Sequence, residues 1–266
     1  MLPQLETGQL SPEQIESFIN GGFIKIDNAF STAVADECRD ILWKATGCDP
    51  DDRSTWIHPV VRIAELADEP FKKAANTAIL LNAFDQLAGR GNWVPRMTMG
   101  SFPIRFPSNQ PANDTGWHVD ASFPGDSVDN YLEWRVNINS KGRALLMLFL
   151  FSNVSDRDAP TKIKVGSHLG VAKILKPEGE KGLSSMELAQ KLHTLPEYKK
   201  ESLATGSAGT VYLCHPFIVH AAQDHRGETP KFMAQPPLHA RNDFDYSRNE
   251  TNLCPVEKAI LKGIRE

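Results

Sequence analysis

The stretch "VYLCHPFIVHAAQDHRGETPK", Val211 to Lys231, decides how the sequence is interpreted. It holds three histidines at a regular spacing of five residues: His215, His220 and His225. A spacing of five cannot place neighbouring histidines on one face of a strand, and it fits a helical face poorly, so the three are not expected to act as one cluster. His215 precedes Pro216 at an expected bend, and His225 lies in a polar turn. Only His220 lies within an apolar strand, "FIVHAA".

A partner for His220 occurs a hundred residues earlier, in "GWHVDASF", where His118 and Asp120 are two residues apart. In an extended strand this spacing points both side chains to the same face. An imidazole, a carboxylate and a distant second imidazole form the two-histidine, one-carboxylate triad that is typical of non-haem Fe(II) oxygenases. Taken alone, the short pair is also consistent with a polar strand face, and a lone histidine is also consistent with a core residue. The three together favour a metal site.

The pattern around both segments predicts a β-rich core. From Trp93 onward, about eight short runs of β-branched, aromatic and other apolar residues alternate with Pro, Gly, Asn and Asp. Such runs predict an antiparallel sandwich, a jelly roll or a small barrel. The run "RALLMLFLF", Arg143 to Phe151, is apolar after its first residue, which predicts a central strand covered on both faces.

Helices are predicted on either side of this core. In "LSPEQIESFING", Ser11 and Gln14 form a capping box around Pro12. A second helix begins near Ser31, and a third is expected from about Pro70 to Leu87. The insertion 177–200 contains a further helical pattern, and a closing helix begins at or near Pro255.

Composition limits the classes of partner. The 266 residues are 41% hydrophobic and carry a formal net charge of -4, so no basic excess exists to bind nucleic acid or an anionic membrane. Small molecules are the expected ligands. The four cysteines follow no paired spacing, which indicates reduced thiols and a cytoplasmic protein. The first residues show no signal-peptide pattern and the sequence has no apolar run of membrane-spanning length, so neither secretion nor membrane spanning is expected; the oligomeric state is left open.

The sequence resembles the phytanoyl-CoA dioxygenase family of Fe(II)- and 2-oxoglutarate-dependent oxygenases. Five motifs in order carry the resemblance across most of the chain. They are "LSPEQIESFINGGFIKIDNAF" at the N-terminal helix and strand, "HVD" at the proximal metal motif, "KVGSH" at a turn, "HPFIVHAA" at the distal histidine and "CPVEKAIL" at the C-terminal helix.

The resemblance implies a double-stranded β-helix, or jelly roll of cupin-like form, with N-terminal helices packed on the major sheet. One domain would span 1–266: a mainly helical support in 1–92, the β-helix core in 93–240 with a helical insertion near 177–200, and a C-terminal segment and helix in 241–266.

The same resemblance implies His118, Asp120 and His220 as iron ligands, with 2-oxoglutarate and O₂ as co-substrates. The basic residue eleven after the distal histidine would bind the distal carboxylate of 2-oxoglutarate. Here it is Lys231, where the family usually has arginine, and a lysine offers a point charge instead of a two-pronged fork. Arg226 is the alternative anchor. Ala222 stands where some members have a serine, so another hydrogen-bond donor is required.

The implied reaction is hydroxylation of a C–H bond in a small-molecule, acyl or secondary-metabolite substrate, with formation of succinate and CO₂. Relatives that halogenate lack the carboxylate, so Asp120 favours hydroxylation over halogenation. Two alternatives use the same scaffold: a cupin-like metalloenzyme without redox chemistry, and a catalytically silent small-molecule binding protein.

Four further residues are candidates for the substrate pocket. Arg96 and Arg105 flank the predicted strand "RMTMGSFPIR", Arg143 precedes the apolar core strand, and His168 lies in "GSH". For the arginines, a solvated surface position is the preferred interpretation. For His168, the preferred interpretation is a hydrogen bond that stabilises a turn.

Overall fold

The computed structural model describes residues 8–126, 128–195, 198 and 200–266. The α-helices of these residues are α1 (Pro12–Gly21), α2 (Thr32–Thr46), α3 (Glu69–Ala75), α4 (Ala78–Ala88), α5 (Ser167–Leu175), α6 (Ser185–Leu192) and α7 (Pro255–Arg265). The strands are β1 (Phe23–Ile26), β2 (Val60–Ile63), β3 (Phe102–Arg105), β4 (Arg135–Val136), β5 (Leu145–Leu150), β6 (Lys162–Lys164), β7 (Leu183–Ser184), β8 (Glu201–Leu203), β9 (Val211–Cys214), β10 (His220–Ala221), β11 (Met233–Ala234) and β12 (Pro237–Leu238).

Two antiparallel sheets position the site. The larger has the order β1-β9-β5-β11, and β12 also pairs with β5. The smaller has the order β10-β6-β8, while β2 pairs with β3 and β4 pairs with β7. Together with the flanking helices they form a mixed helix and sheet architecture.

Strand β5 is central to the larger sheet, as its apolar sequence predicts, and all six of its residues are buried. Its side chains alternate between two clusters, because successive residues of a strand face opposite sides. Leu146, Leu148 and Leu150 belong to an inner cluster that also contains residues of β6, β9 and β11. Met147 and Phe149 belong to the larger cluster, which includes buried residues of α1, α2, α3 and α4. The sheet therefore packs against helices on one face and encloses an interior on the other.

The helix termini follow the capping signals closely. Ser11 and Gln14 form the predicted capping box of α1, and α7 begins at Pro255 as expected. The single helix predicted from about Pro70 to Leu87 is wrong, because α3 ends at Ala75 and α4 begins at Ala78. The Thr77 side chain accepts a hydrogen bond from Leu80 N and starts a new helix, which the apolar periodicity of the segment did not reveal.

The strands are shorter than the apolar runs that predicted them. "GWHVDASF" forms only isolated bridges at His118 and Phe123, and "PFIVHAA" contributes the two residues of β10. Ladder pairing is interrupted where Pro and Gly punctuate the runs, since Pro removes a backbone donor. None of the described helices has the length and apolar composition that a bilayer crossing requires.

Candidate metal centre

The backbone brings the two predicted metal motifs side by side. His118 and His220 exchange both backbone hydrogen bonds, with N–H···O distances of 3.0 Å each. Residues paired in this way lie directly opposite each other and point their side chains to the same face. The two imidazole rings are 4.4 Å apart between centroids. One antiparallel bridge therefore aligns two histidines that are about a hundred positions apart in sequence.

Asp120 completes a group of three potential ligands. Its Oδ1 lies 3.5 Å from Nε2 of His118 and 3.6 Å from Nε2 of His220. One potential ligand atom from each residue lies within 4.8 Å of the others. Two nitrogen donors and one oxygen donor form a set that suits non-haem Fe(II). The two distances from Asp120 exceed the separation of neighbouring ligands on one ion, about 3 Å, by about half an ångström.

Both histidines are held in the tautomer that metal binding needs. Nδ1 of His118 lies 2.9 Å from the carbonyl oxygen of Gly116, and Nδ1 of His220 lies 3.2 Å from that of Ile218. A carbonyl oxygen only accepts, so each Nδ1 carries the proton and donates it. Each Nε2 therefore presents a lone pair towards Asp120, an arrangement that orients metal-binding histidines in general.

The second carboxylate oxygen of Asp120 is occupied by other side chains. Nη1 of Arg143 donates to Oδ2 at 2.9 Å, while Nη2 of Arg143 donates to the carbonyl of Ala121 at 2.7 Å. The Nε2 amide of Gln235 donates to the same Oδ2 at 3.3 Å and lies 3.0 Å from Nε2 of His220. These contacts fix the rotation of the carboxylate and leave Oδ1 to face the histidines.

The three groups have clearly perturbed pKa values. Burial would raise the pKa of Asp120, but Arg143 and the two histidines outweigh it and hold that pKa well below its usual range. Burial lowers the pKa of His220 to about 4, despite the attraction of Asp120. Burial also opposes the charged form of His118, yet the charge of Asp120 and the hydrogen bond it would accept from a protonated Nε2 raise the pKa of His118 overall. At neutral pH, Asp120 is therefore ionised and His220 is neutral, the states that bind a metal ion.

The site opens on the side of His118. Side-chain exposure is 42% for His118, 15% for Asp120 and 2% for His220. Tyr131, which is exposed, lies within hydrogen-bonding reach of Arg143, and its ring is 5.2 Å from that of Trp134. The triad is therefore most accessible to solvent on the side of His118.

The two candidate anchors for a co-substrate carboxylate lie in different surroundings. Lys231 is buried, pairs with Arg105 in an isolated bridge and donates from Nζ to the carbonyl of Ala159. Arg226 is exposed and lines a polar cavity of about 610 Å³ that also contains Arg157. Of the two, Lys231 has the buried position that a co-substrate anchor within the core requires.

All three candidate arginines are buried, so the surface interpretation preferred for them is wrong. Arg96 forms an ion pair of 3.1 Å with Glu65 and donates to the Thr98 carbonyl, which makes it structural. Arg105 forms an ion pair of 2.7 Å with Asp114. Arg143 is the only one of the three that the described contacts join to the triad. Each guanidinium is compensated by a carboxylate that lies between nine and 31 residues away in the chain, and such pairing has no local signal in sequence.

His168 makes a hydrogen bond, but it lies in α5 and joins that helix to α1, so the expected role in stabilising a turn is wrong. Its Nε2 lies 3.0 Å from the carbonyl of Ile19 in α1, and its ring is 4.8 Å from that of His215. Burial lowers the pKa of His168 to about 4. The described contacts place it beneath α1 and do not join it to the triad. His225 is also buried, which the polar turn around it did not predict.

Gln235 and Tyr131 are the site residues that sequence reasoning missed. Gln235 follows β11, and its backbone N–H donates to the Ser101 carbonyl at 3.0 Å. It lies four residues after Lys231, on the same face of the chain if the segment is extended. That spacing is the one signal in the sequence that pointed to it.

No family model matches the chain, and no curated protein matches it. Solved structures do share its fold. HygX from Streptomyces hygroscopicus, with nickel, 2-oxoglutarate and hygromycin B bound, has a TM-score of 0.53 at 16% identity, over 84% of this chain and 85% of HygX. EctD from S. alaskensis, with 2-oxoglutarate and 5-hydroxyectoine, has a TM-score of 0.53 at 16% identity, over 91% of this chain and 88% of EctD.

A third similar structure is GIG2 from Candida albicans, with a TM-score of 0.59 at 12% identity. The alignment covers 89% of this chain and 65% of GIG2. At these identities the likeness establishes a shared fold, and function has to be argued from the site. The chain thus has a fold found among proteins that bind a metal ion together with 2-oxoglutarate.

Proposed function

We propose that this chain is a non-haem Fe(II)- and 2-oxoglutarate-dependent dioxygenase built on a double-stranded β-helix, with its N-terminal helices on the larger sheet. The observation that carries the proposal is the triad of His118, Asp120 and His220, in which both Nε2 atoms and one carboxylate oxygen converge. The fold shared with HygX and EctD supports it, since both bind 2-oxoglutarate.

The donor set fits the implied metal. Three protein ligands on one side leave three positions open, which is enough for a bidentate 2-oxo acid and O₂. When bound, Fe(II) would supply O₂ activation coupled to decarboxylation of the 2-oxo acid. The balanced reaction is R–H plus O₂ plus 2-oxoglutarate, giving R–OH, succinate and CO₂.

The chain's own residues would hold these components in place. His118, Asp120 and His220 would bind the ion, while Arg143 and Gln235 keep Oδ2 of Asp120 turned away from it. Lys231 would attract the distal carboxylate of 2-oxoglutarate from its buried position. The substrate would enter beside His118 and Tyr131, the exposed side of the site.

Hydroxylation is favoured over halogenation. A halide would need the ligand position that the Asp120 carboxylate occupies. Because Arg143 forms an ion pair with that carboxylate at 2.9 Å, the side chain is fixed towards the ligand position. We propose a small-molecule substrate, by analogy with the hygromycin B and 5-hydroxyectoine bound to HygX and EctD.

The test is formation of succinate and consumption of O₂ with Fe(II), 2-oxoglutarate and a panel of small metabolites. The Asp120→Ala variant removes one ligand and should lose all Fe(II)-dependent succinate formation. Arg96→Gln, which replaces a buried arginine that pairs with the exposed Glu65, is the matched control and should retain succinate formation. Turnover that is unaffected by Asp120→Ala would contradict the proposed function.

A further inference from the structure

One exposed aromatic side chain reaches a buried group beside the candidate metal centre. Tyr131 is 56% exposed, yet its hydroxyl lies within hydrogen-bonding reach of Arg143, which is only 5% exposed. A side chain with one end in solvent and the other on a buried guanidinium extends across the open part of the site. Of the described tyrosines and tryptophans, Tyr131 is the one that the described contacts join to Arg143.

Arg143 links this hydroxyl to the triad. Its Nη1 donates to Oδ2 of Asp120 at 2.9 Å, and its Nη2 donates to the carbonyl of Ala121 at 2.7 Å. Burial and the charge of Asp120 raise the pKa of Tyr131, so the phenol keeps its proton at neutral pH. The Tyr131 hydroxyl is therefore two contacts away from the carboxylate that would bind the metal.

The loop that carries Tyr131 is fixed at its base. The structure describes residues 124–126 and 128–134 of this loop. On either side of it, Phe123 and Arg135 exchange backbone hydrogen bonds of 3.1 and 2.8 Å. The Arg135 side chain donates to the carbonyls of Lys181 and Gly182 at 2.8 Å each. These contacts hold the base of the loop, so Tyr131 stays beside the triad.

A glycine is required where the two arms of this loop approach each other. A Cβ atom at Gly125 would lie 2.3 Å from the carbonyl oxygen of Glu133, two residues after Tyr131. Two non-bonded atoms cannot come so close, so any side chain at this position would push the arms apart. Gly125→Ala therefore shifts the loop without changing Tyr131 itself.

Trp117 is the contrasting aromatic residue. It directly precedes His118, but its ring lies 4.6 Å from Nζ of Lys162 and 4.7 Å from Nζ of Lys164. Neighbouring residues of an extended segment point to opposite faces, so the indole is turned away from the triad. Two oxidisable aromatic side chains therefore lie near the triad, and only Tyr131 faces it.

A site that activates O₂ without substrate can direct the oxidation only at a protein side chain. The proposed function supplies both O₂ and 2-oxoglutarate, and a phenol ring is electron-rich. The balanced step is ring C–H plus O₂ plus 2-oxoglutarate, giving ring C–OH, succinate and CO₂. One oxygen atom enters the ring and the other enters succinate, while oxidation of the 2-oxo acid supplies two electrons.

We propose that Tyr131 covers the open side of the metal site in the substrate-free enzyme, that the substrate displaces it, and that turnover without substrate hydroxylates its ring. The inference rests on the proposed function and extends it. Tyr131 is then a contact that the substrate must replace, and a modification site when substrate is missing.

The first experiment incubates the full chain with Fe(II), 2-oxoglutarate and heavy-isotope O₂, without substrate. Peptide mass spectrometry locates the added oxygen, and succinate is measured in the same samples. We expect one heavy oxygen atom on Tyr131 and none on Trp117, the internal control. The modification should be lost without 2-oxoglutarate and in Asp120→Ala, and it should decrease in Gly125→Ala.

The second experiment measures the position of Tyr131 without turnover. The full chain is labelled with fluorotyrosine, and Tyr131→Phe identifies the Tyr131 signal among the four tyrosines. Paramagnetic Co(II) perturbs nearby fluorine nuclei, whereas diamagnetic Zn(II) does not, and both ions suit nitrogen and oxygen ligands. Relative to Zn(II), Co(II) should broaden or shift the Tyr131 signal more than the signals of the other three tyrosines.

The outcomes separate two possible failures. Succinate formation without oxygen on Tyr131 would overturn this inference and leave the proposed function standing. A Co(II) effect on Tyr131 no larger than on the other tyrosines, or equal oxidation of Tyr131 and Trp117, would overturn it as well. No succinate, together with no binding of 2-oxoglutarate to the metal-loaded chain, would contradict the proposed function itself.

Discussion

Nη1 of Arg143 lies 2.9 Å from Oδ2 of Asp120, and this ion pair determines which carboxylate oxygen faces the two histidines. The arginine is buried and also donates to the Ala121 carbonyl, so it cannot follow a rotation of the Asp120 side chain without losing a second hydrogen bond. Its charge is also a main reason why the pKa of Asp120 stays low despite burial. Arg143 therefore positions the proposed metal ligand Asp120 and keeps it ionised.

Replacing Arg143 should weaken metal binding. Arg143→Gln frees the Asp120 carboxylate to rotate and removes the charge that lowers its pKa, and loss of a group that orients a ligand typically costs about 10- to 100-fold in metal affinity. Titration with Ni(II) at neutral pH measures the effect. Arg96→Gln is the control because Arg96 is equally buried but pairs with Glu65. Equal affinity in Arg143→Gln and wild type would show that the ion pair does not position Asp120.

Replacing Gln235 should strengthen metal binding. Its amide lies 3.0 Å from Nε2 of His220, the atom that would bind the metal, so an ion must displace this hydrogen bond. Gln235→Leu removes the competitor and should tighten Ni(II) binding by about two- to tenfold, the value of one net hydrogen bond. The control is Gln223→Leu, since Gln223 donates to the Pro160 carbonyl instead. Weaker Ni(II) binding in Gln235→Leu would contradict this prediction. It would mean that the hydrogen bond from Gln235 to Asp120 favours metal binding more than the contact with His220 opposes it.

The pH dependence of metal binding should reflect the protonation of one histidine, His118. The pKa of His118 is raised above its usual value, whereas that of His220 is lowered to about 4. As pH falls below the His118 pKa, the metal must displace one proton, and Ni(II) affinity should fall about tenfold per pH unit until pH approaches about 4. Calorimetry over this range gives the slope. A slope near two would mean that both imidazoles are protonated together.

When no co-substrate is bound, the buried Lys231 should make the folded protein less stable. Its amine is buried with one backbone acceptor and faces Arg105, so Lys231→Met replaces a poorly compensated polar group by an apolar one of similar length. We expect the free energy of unfolding to rise by about 1 to 3 kcal/mol in urea at neutral pH. The exposed Lys44→Met is the control. A decrease in stability would show that the surroundings of Lys231 already compensate its charge.

The triad could be predicted because its residues have local signals in the sequence. His118 and Asp120 are two apart, and His220 is the one histidine of its segment within an apolar strand. The central strand β5 was equally predictable, since six buried residues in a row leave a continuous apolar run. Helix starts followed from Ser11 and Pro255, where capping residues act on adjacent backbone.

The residues around the triad were not predictable in the same way. Arg143 and Arg105 are buried only because Asp120 and Asp114 reach them from other segments, so each alone resembles a surface arginine. Gln235 belongs to no motif and acquires its role through the pairing of its strand with the segment around Ser101. Contacts between distant segments thus set the electrostatics of the site, while local spacing sets its ligands.

The most direct test of the central claim is an anaerobic titration of the Fe(II)-loaded protein with 2-oxoglutarate, followed by the visible charge-transfer absorption of a 2-oxo acid chelated to Fe(II). The account predicts one absorbing complex per chain for the wild type and none for Asp120→Ala, because the triad is the proposed binding site of the ion. Absence of the absorption in the wild type, or its persistence in Asp120→Ala, would contradict the account.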